Sequence, residues 1–256
     1  MNDFLVIGGG IAGASTAARL APLGKTLLLE RETSLGYHAS GRSAALFEAN
    51  YGLASTVALS QASAEFHRTA HGGFLSPRGL MLIGKTDEAE EFKDACAHLN
   101  MAPIALEQAF DTVPVLNPDS VGFAAFHEAA YDVDTDRQIQ TFAKMTRAEG
   151  GAVLTGQEVT AIRRTPEGWQ VTANGSEHSA RMLFNCAGAW VDEIAKMAGI
   201  KPLGFTPLRR SMARLPVRSQ RRYRSTTSMP RSTHSALTAS SAATRRGKLS
   251  AISPST

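Results

Sequence analysis

Acidic residues run out at Glu193: the 63 residues after it contain none, against 13 Lys and Arg. The 193 residues before them carry 23 acids and 14 bases. The basic pI of about 9.3 is therefore a property of the C-terminal quarter, and the body of the chain is acidic. That distribution excludes a basic nucleic-acid surface spread over a folded domain, although a basic tail can attract polyanions non-specifically. Tyr223 is the sole aromatic residue after Phe205, too few for a base-stacking platform. Cysteine is scarce as well. Cys96 and Cys186 fall in segments that read as a helix and a buried strand, which excludes a disulfide framework and any thiolate metal cluster and suits a reducing cytoplasm. No apolar run approaches the roughly 20 residues of a membrane span. The opening MNDFLVIGGG lacks a basic n-region and a cleavage site, so no secretory signal is read. What remains, 43% hydrophobic and 20% charged, is the composition of an ordinary globular protein.

The informative stretch is the first one, DFLVIGGGIAGASTAARLAPLGKTLLLERETSLG over residues 3–36. Phe4–Ile7 is a short apolar run ending in glycines, the mark of a buried parallel strand. Small and apolar residues follow at helical spacing from Ile11 to Leu20, with Gly24 beyond as a stop. A second apolar run, Lys25–Leu29, ends at Glu30. Gly8, Gly10 and Gly13 thus occupy a G-x-G-x-x-G pattern between a strand and a helix. Gly8 permits the tight turn, Gly10 lets the backbone approach a pyrophosphate, and Gly13 lets helix and strand pack closely. The N–H groups at the helix start, from Ile11 and Ala12, and the positive end of the helix dipole face the phosphates. Glu30, 17 residues after Gly13, can accept hydrogen bonds from a ribose diol. The spacing predicts a dinucleotide-binding βαβ unit.

Further on, Tyr51–Phe66 reads as a helix with an apolar stripe, and Gly79–Ile83 as a strand. Glu88–Asn100 reads as an amphipathic helix burying Phe92, Ala95, Cys96 and Leu99. Asp134 or Thr135 caps a helix that Gly150–Gly151 ends. Gln157–Ala173 reads as a hairpin turning at Pro166–Gly168, and Met182–Trp190 as an apolar strand running into a small-residue turn, with Trp190 either a core aromatic, which is preferred, or a pocket wall.

These segments together resemble the glycine/D-amino acid oxidase-type flavoproteins. The stretches that carry the resemblance are VIGGGIAGAST, LERE, GYHASGRSAA, LSPRG, VPVL, NCAGAWVDEIA, AGIKPLG and PLRRS, spread over residues 3–215. Within the family they are nearest the bacterial D-amino acid dehydrogenases of the D-arginine type. The resemblance implies an α/β fold: a Rossmann-type FAD-binding domain with an interleaved, incomplete α+β substrate domain. The FAD-binding parts would be about 1–75 and 135–205, and the substrate-domain parts about 76–134 and 206–216. It implies FAD as cofactor, with Arg31, Ser40, Gly41, Arg42 and Ser43 against it, Val159 at the adenine, and Ala187 and Gly188 where the backbone comes close. His38 has two readings: covalent attachment of the flavin, as in some amine dehydrogenases of the family, or a loop histidine with a backbone partner, which is preferred. Tyr51 matches the position of a lid tyrosine, and Arg210 that of a carboxylate-binding arginine. The implied reaction is oxidation of a D-amino acid or related amine. Hydride leaves Cα for flavin, and water hydrolyses the resulting imine. The partners implied are a small-molecule amino acid and an electron acceptor, either oxygen or a quinone, with no specific nucleic acid, no metal and no transmembrane segment.

Two departures bear on the substrate. Leu46 stands where the arginine-using relatives have a histidine, and Leu80 where they have an acid, which points to a neutral or apolar side chain. The resemblance stops near Pro216. Of residues 217–256, 16 of 40 are Ser or Thr and the apolar ones show no period, so this basic tail is expected to lack regular structure. GKLSAISPST, residues 247–256, again resembles a family stretch. This suggests a shifted reading frame over about 217–246, with a native disordered tail as the alternative. Three functions stay open: an FAD-dependent amine oxidoreductase, an inactive fragment retaining only dinucleotide binding, and a regulatory nucleotide-binding module.

Overall fold

The computed structural model describes residues 1–43, 45–209, 237–243 and 248–254. The chain begins with β1 (Asn2–Ile7), α1 (Ile11–Leu20), β2 (Thr26–Leu29), β3 (Leu46–Phe47) and α2 (Ala54–Thr69). Next come β4 (Leu75–Pro77), β5 (Leu80–Gly84), α3 (Ala89–Leu99), β6 (Ala102–Ile104), α4 (Leu106–Thr112), β7 (Phe123–His127) and β8 (Tyr131–Val133). Then follow α5 (Thr135–Ala148), β9 (Ala152–Leu154), β10 (Val159–Thr165), β11 (Gly168–Ala173), β12 (Ser176–Asn185) and α6 (Val191–Met197). Two C-terminal strands, β13 (Leu237–Ala243) and β14 (Lys248–Pro254), complete the described elements.

These form two compact units that alternate along the chain: 1–43 with 134–209, and 45–133 with the two C-terminal strands. In the first, a six-stranded sheet runs β10-β11-β12-β1-β2-β9. Strands β12, β1, β2 and β9 are parallel, and β10–β11–β12 is an antiparallel meander. Both faces of the parallel part are covered, which is why β1 and β2 read as unbroken apolar runs and not as alternations. Leu5, Ile7, Leu27 and Leu29 point to the side holding Ile162, Val171 and Ile194, while Val6 and Leu28 meet Ala17 of α1 on the other. Helix α1 buries Gly13, Ala14, Ala17 and Ala18, small residues that let it lie close to the sheet and to α5. Asp134 caps α5 by accepting the N–H of Arg137 at 2.9 Å, as its position before the helical stripe predicts.

In the second unit, β13-β14-β5-β7-β6 form an antiparallel sheet and β3-β8-β4 a small one. Alternation in β5 sends Leu80 and Leu82 to Phe92, Cys96 and Leu99 of α3, and Met81 to Ala109 and Val113 by α4. Three expectations are corrected here. Residues 45–75 belong to this unit and not to the dinucleotide-binding part, because β3 and β4 both pair with β8. The helix expected from Tyr51 starts at Ala54, and its stripe is not buried: Ala64 is its buried residue, and Leu59 is exposed. The lack of a period in 217–256 predicts no strands, yet β13 and β14 form a hairpin whose second strand pairs with β5. Ladder hydrogen bonds come from the backbone, so a Ser- and Ala-rich segment can join an open sheet edge without any alternation of side chains.

Candidate functional site

Three glycine-rich or small-residue turns meet at the carboxyl ends of β1, β2 and β12, where doubly wound sheets take their ligands. The first follows β1. Gly8 has φ of +106°, and a Cβ there would lie 2.4 Å from the Cys186 carbonyl oxygen, so glycine is required by conformation and by space. A Cβ on Gly13 would lie 1.8 Å from the Gly8 carbonyl oxygen, whereas one on Gly10 would meet nothing nearer than Ser40 Oγ at 3.3 Å. Gly8 and Gly13 are thus fixed by the protein's own packing. Gly10 is not, and its bare backbone leaves room for something else.

Gly10 is also the N-cap of α1 and has no side chain to satisfy the first turn. Ser40 supplies one acceptor, its Oγ taking the Ile11 N–H at 3.0 Å. The N–H of Ala12, in the same uncapped first turn, points the same way as the helix dipole. Glu30, 8% exposed, accepts the Gly9 N–H at 2.6 Å through Oε2 and the Glu32 N–H at 2.8 Å through Oε1. Two of the four acceptor positions of its carboxylate are used, and two remain for hydroxyl donors. Val159 comes to this corner because Gln157 N–H bonds the Glu30 carbonyl at 2.8 Å and Gly156 N–H that of Glu32.

The loop after β2 is held by a cluster centred on Glu32. Its Oε1 accepts from Arg31 at 2.9 Å and lies 2.8 Å from His38 Nε2. The His38 ring, and then Arg31, hold the Glu32 carboxyl below its ordinary value. Trp190 is half-buried and not a core aromatic: Arg31 lies 4.5 Å above its ring and the His38 ring 4.6 Å from it. The partner of His38 is therefore a carboxylate and not the backbone. Arg42 donates to the Tyr37 carbonyl at 3.0 Å and lies over its ring, so its head is turned into its own loop. A Cβ on Gly41 would meet the Gly36 carbonyl at 2.3 Å; Ser43 is exposed.

The third turn follows β12. Asn185 Nδ2 donates to the Val191 carbonyl and its Oδ1 accepts the Ala187 N–H, which folds Ala187–Gly188 back against the β1 end. Gly188, Ala189 and Val191 line a cleft of about 210 Å³ with Phe205, Thr206 and Pro207. Asp192 anchors the far wall, accepting the N–H groups of Leu203, Gly204 and Phe205 at 3.0, 2.8 and 2.8 Å. Burial pushes the Cys186 thiol up, partly opposed by its hydrogen bond to Thr16, so it is no nucleophile at neutral pH. Among the described residues no cluster of His, Cys, Asp or Glu could hold a metal.

The set fits a dinucleotide: open first-turn N–H groups for a pyrophosphate, spare carboxylate lone pairs for a ribose, and a Cβ-free approach at Gly10. The FAD dependent oxidoreductase family matches residues 3–247. The chain belongs to that family. Its cofactor is FAD, a group that Gly10, Ile11, Ala12, Glu30 and Ser40 could hold. The family match continues past Pro216, where the resemblance of individual motifs ends. L-2-hydroxyglutarate dehydrogenase of Escherichia coli K12 is 27% identical over 220 residues, covering 80% of this chain and 51% of that protein. Human mitochondrial sarcosine dehydrogenase is 25% identical over 219 residues, 78% of this chain and 24% of that one. In fold, L-proline dehydrogenase from P. horikoshii superposes with a TM-score of 0.68 at 22% identity, covering 97% of this chain and 68% of that one. The chain spans about half the length of the first curated relatives it matches.

The residues expected at the FAD all lie in the first unit. Tyr51 lies in the second, half exposed at the turn before α2, and Arg210 lies outside the described residues. Sequence reading missed Glu32 and Asp192. Glu32 sits two residues from Glu30 in LERE, and a second acid beside a ribose-binding position was the available signal. Asp192 carried none, since its three partners are backbone N–H groups 11 to 13 residues away. Among the described residues no helix is long and apolar enough to cross a membrane.

Proposed function

We propose that this flavoenzyme chain oxidises a small D-amino acid or related secondary amine whose side chain is neutral or apolar. The observation that carries the reading is the convergence of the glycine turn, Ser40 and Glu30 at one end of the parallel strands. The substrate class rests on the sequence resemblance to D-amino acid dehydrogenases of the D-arginine type. FAD, when bound, supplies the two-electron acceptor for hydride from the substrate carbon. The chain's own groups bind and orient. The first turn of α1 and Ser40 hold the pyrophosphate, and Glu30 takes the ribose hydroxyls. The sequence resemblance assigns Arg210 to the substrate carboxylate, which a guanidinium can pair in two parallel hydrogen bonds as lysine cannot, and Tyr51 to a lid role. The relatives named above act, by name, on L-2-hydroxyglutarate, sarcosine and L-proline, none of them a D-amino acid. Each of these carries a carboxylate beside a carbon bearing nitrogen or oxygen, which supports a carboxylate-reading arginine. The neutral side chain is inferred from Leu46 and Leu80 standing where the arginine-using relatives carry a histidine and an acid, although Leu80 itself is packed in the core against Phe92, Cys96 and Leu99.

A second reading rests on coverage: spanning about half of its relatives' length, the chain holds FAD without turnover. One experiment separates the two. The purified protein is assayed for bound flavin and for dye, quinone and oxygen reduction with a panel of D- and L-amino acids, sarcosine and 2-hydroxy acids. Flavin with turnover on neutral D-amino acids supports the first reading, and the faster acceptor names the oxidant. Flavin without turnover supports the second, and no flavin refutes both.

A further inference from the structure

In the second unit, Glu48 is buried, its side chain only 2% exposed, and its Oε2 lies 2.7 Å from Nε2 of His127, itself 15% exposed. Both atoms are buried and neither makes a hydrogen bond of proper geometry among the described residues, so the contact between them is one of proximity. A carboxylate so removed from water is costly unless a cation or a donor meets it, and the His127 ring is the group that lies against it. The other ties of Glu48 run forward along the chain. Its Oε1 accepts the Asn50 N–H at 2.9 Å, and its carbonyl accepts the Tyr51 N–H at 3.2 Å. Asn50 in turn accepts from Gln61 of α2 at 3.3 Å. His127 is the last residue of β7, opposite Leu80 of β5, so its backbone is fixed by the sheet. A rigid strand end thus holds the carboxylate, and the carboxylate folds the turn that presents Tyr51 half exposed.

We propose that Glu48 and His127 are positioning residues that set the Tyr51 turn; its consequence for substrate rests on the function proposed above. The full chain is treated with chymotrypsin, which cuts after Tyr51, and cleavage at that bond is followed by mass spectrometry. His127→Phe keeps a ring in the β7 end but strands the carboxylate. Cleavage at Tyr51 is expected to rise at least about tenfold, with cleavage after Phe205 unchanged. Glu48→Gln retains the acceptor for Asn50 while removing the buried carboxylate charge, and is expected to keep the parent rate. Should His127→Phe fail to fold, Glu48→Ala serves in its place with the same expectation. Parent-like cleavage in a folded His127→Phe or Glu48→Ala variant overturns the proposal. Where turnover is measured, KM should rise about fivefold with kcat within twofold. Faster cleavage with KM unchanged upholds the anchor and counts against a substrate role for Tyr51.

Discussion

Replacing Gly10 and Gly13 by alanine in separate variants distinguishes a glycine kept for a ligand from one kept for the fold. At Gly10, φ is −72° and ψ −177°, a conformation alanine adopts freely, and the nearest atom to a new Cβ is Ser40 Oγ at 3.3 Å. The local cost is the loss of glycine as N-cap, about 0.5–1 kcal/mol. At Gly13 the new Cβ would fall 1.8 Å from the Gly8 carbonyl oxygen and 3.3 Å from Cys186 Cβ. An ordinary carbon–oxygen contact is about 3.3 Å or longer, so helix and turn would have to separate by about 1.5 Å. Both contacting groups are backbone or tightly packed. The cost should therefore reach the upper end of the 1–3 kcal/mol typical of overpacking, at roughly 3 kcal/mol. Urea unfolding of the flavin-free proteins reads these numbers, and titration with FAD followed by flavin fluorescence reads affinity. Gly10→Ala should unfold almost as the parent does yet bind FAD at least about tenfold more weakly, a loss of about 1.4 kcal/mol or more. Gly13→Ala should lose both. Parent-like FAD affinity in Gly10→Ala would refute the close backbone approach on which the site assignment depends.

Glu30→Ala removes the acceptor from two backbone N–H groups, one of them buried, and should cost about 2–4 kcal/mol in chemical unfolding. Glu30→Gln, retaining one acceptor, should cost less than half of that. Burial pushes the His67 imidazole below its ordinary value. The unfolded chain therefore binds the proton more readily, and stability should decline as pH falls through the unfolded value of about 6.5. A His67→Phe variant should flatten that part of the stability–pH curve, and an unchanged slope would exclude His67 as its cause. Translating the coding DNA of codons 217–246 in the other frames tests the reading of that segment. A frame that continues the family's apolar pattern supports a shift, and its absence in both frames favours a native tail.

The sequence alone determined the parts whose physics is local. Glycine at 8, 10 and 13, apolar runs on either side and an acid at the end of the second run specify a βαβ unit, because backbone conformation and side-chain period act over a few residues. The caps were equally legible: Asp134 bonds its own helix three residues on. Helix α3 buries three of the four residues its pattern marked. What only the tertiary structure decided is which local pieces meet. Nothing in MLFNCAG says that β12 lies beside β1, since an apolar period names the face to be buried and not the partner that buries it. Ser40 reaches Ile11 across 29 residues, and Glu48 reaches His127 across more than twice that distance. The transfer of residues 45–75 to the second unit follows from the pairing of β3 and β4 with a strand that arrives later in the chain. The pairing of β13 and β14 with each other and of β14 with β5 is the limiting case: a backbone ladder joins them, and backbone groups leave no mark on the sequence.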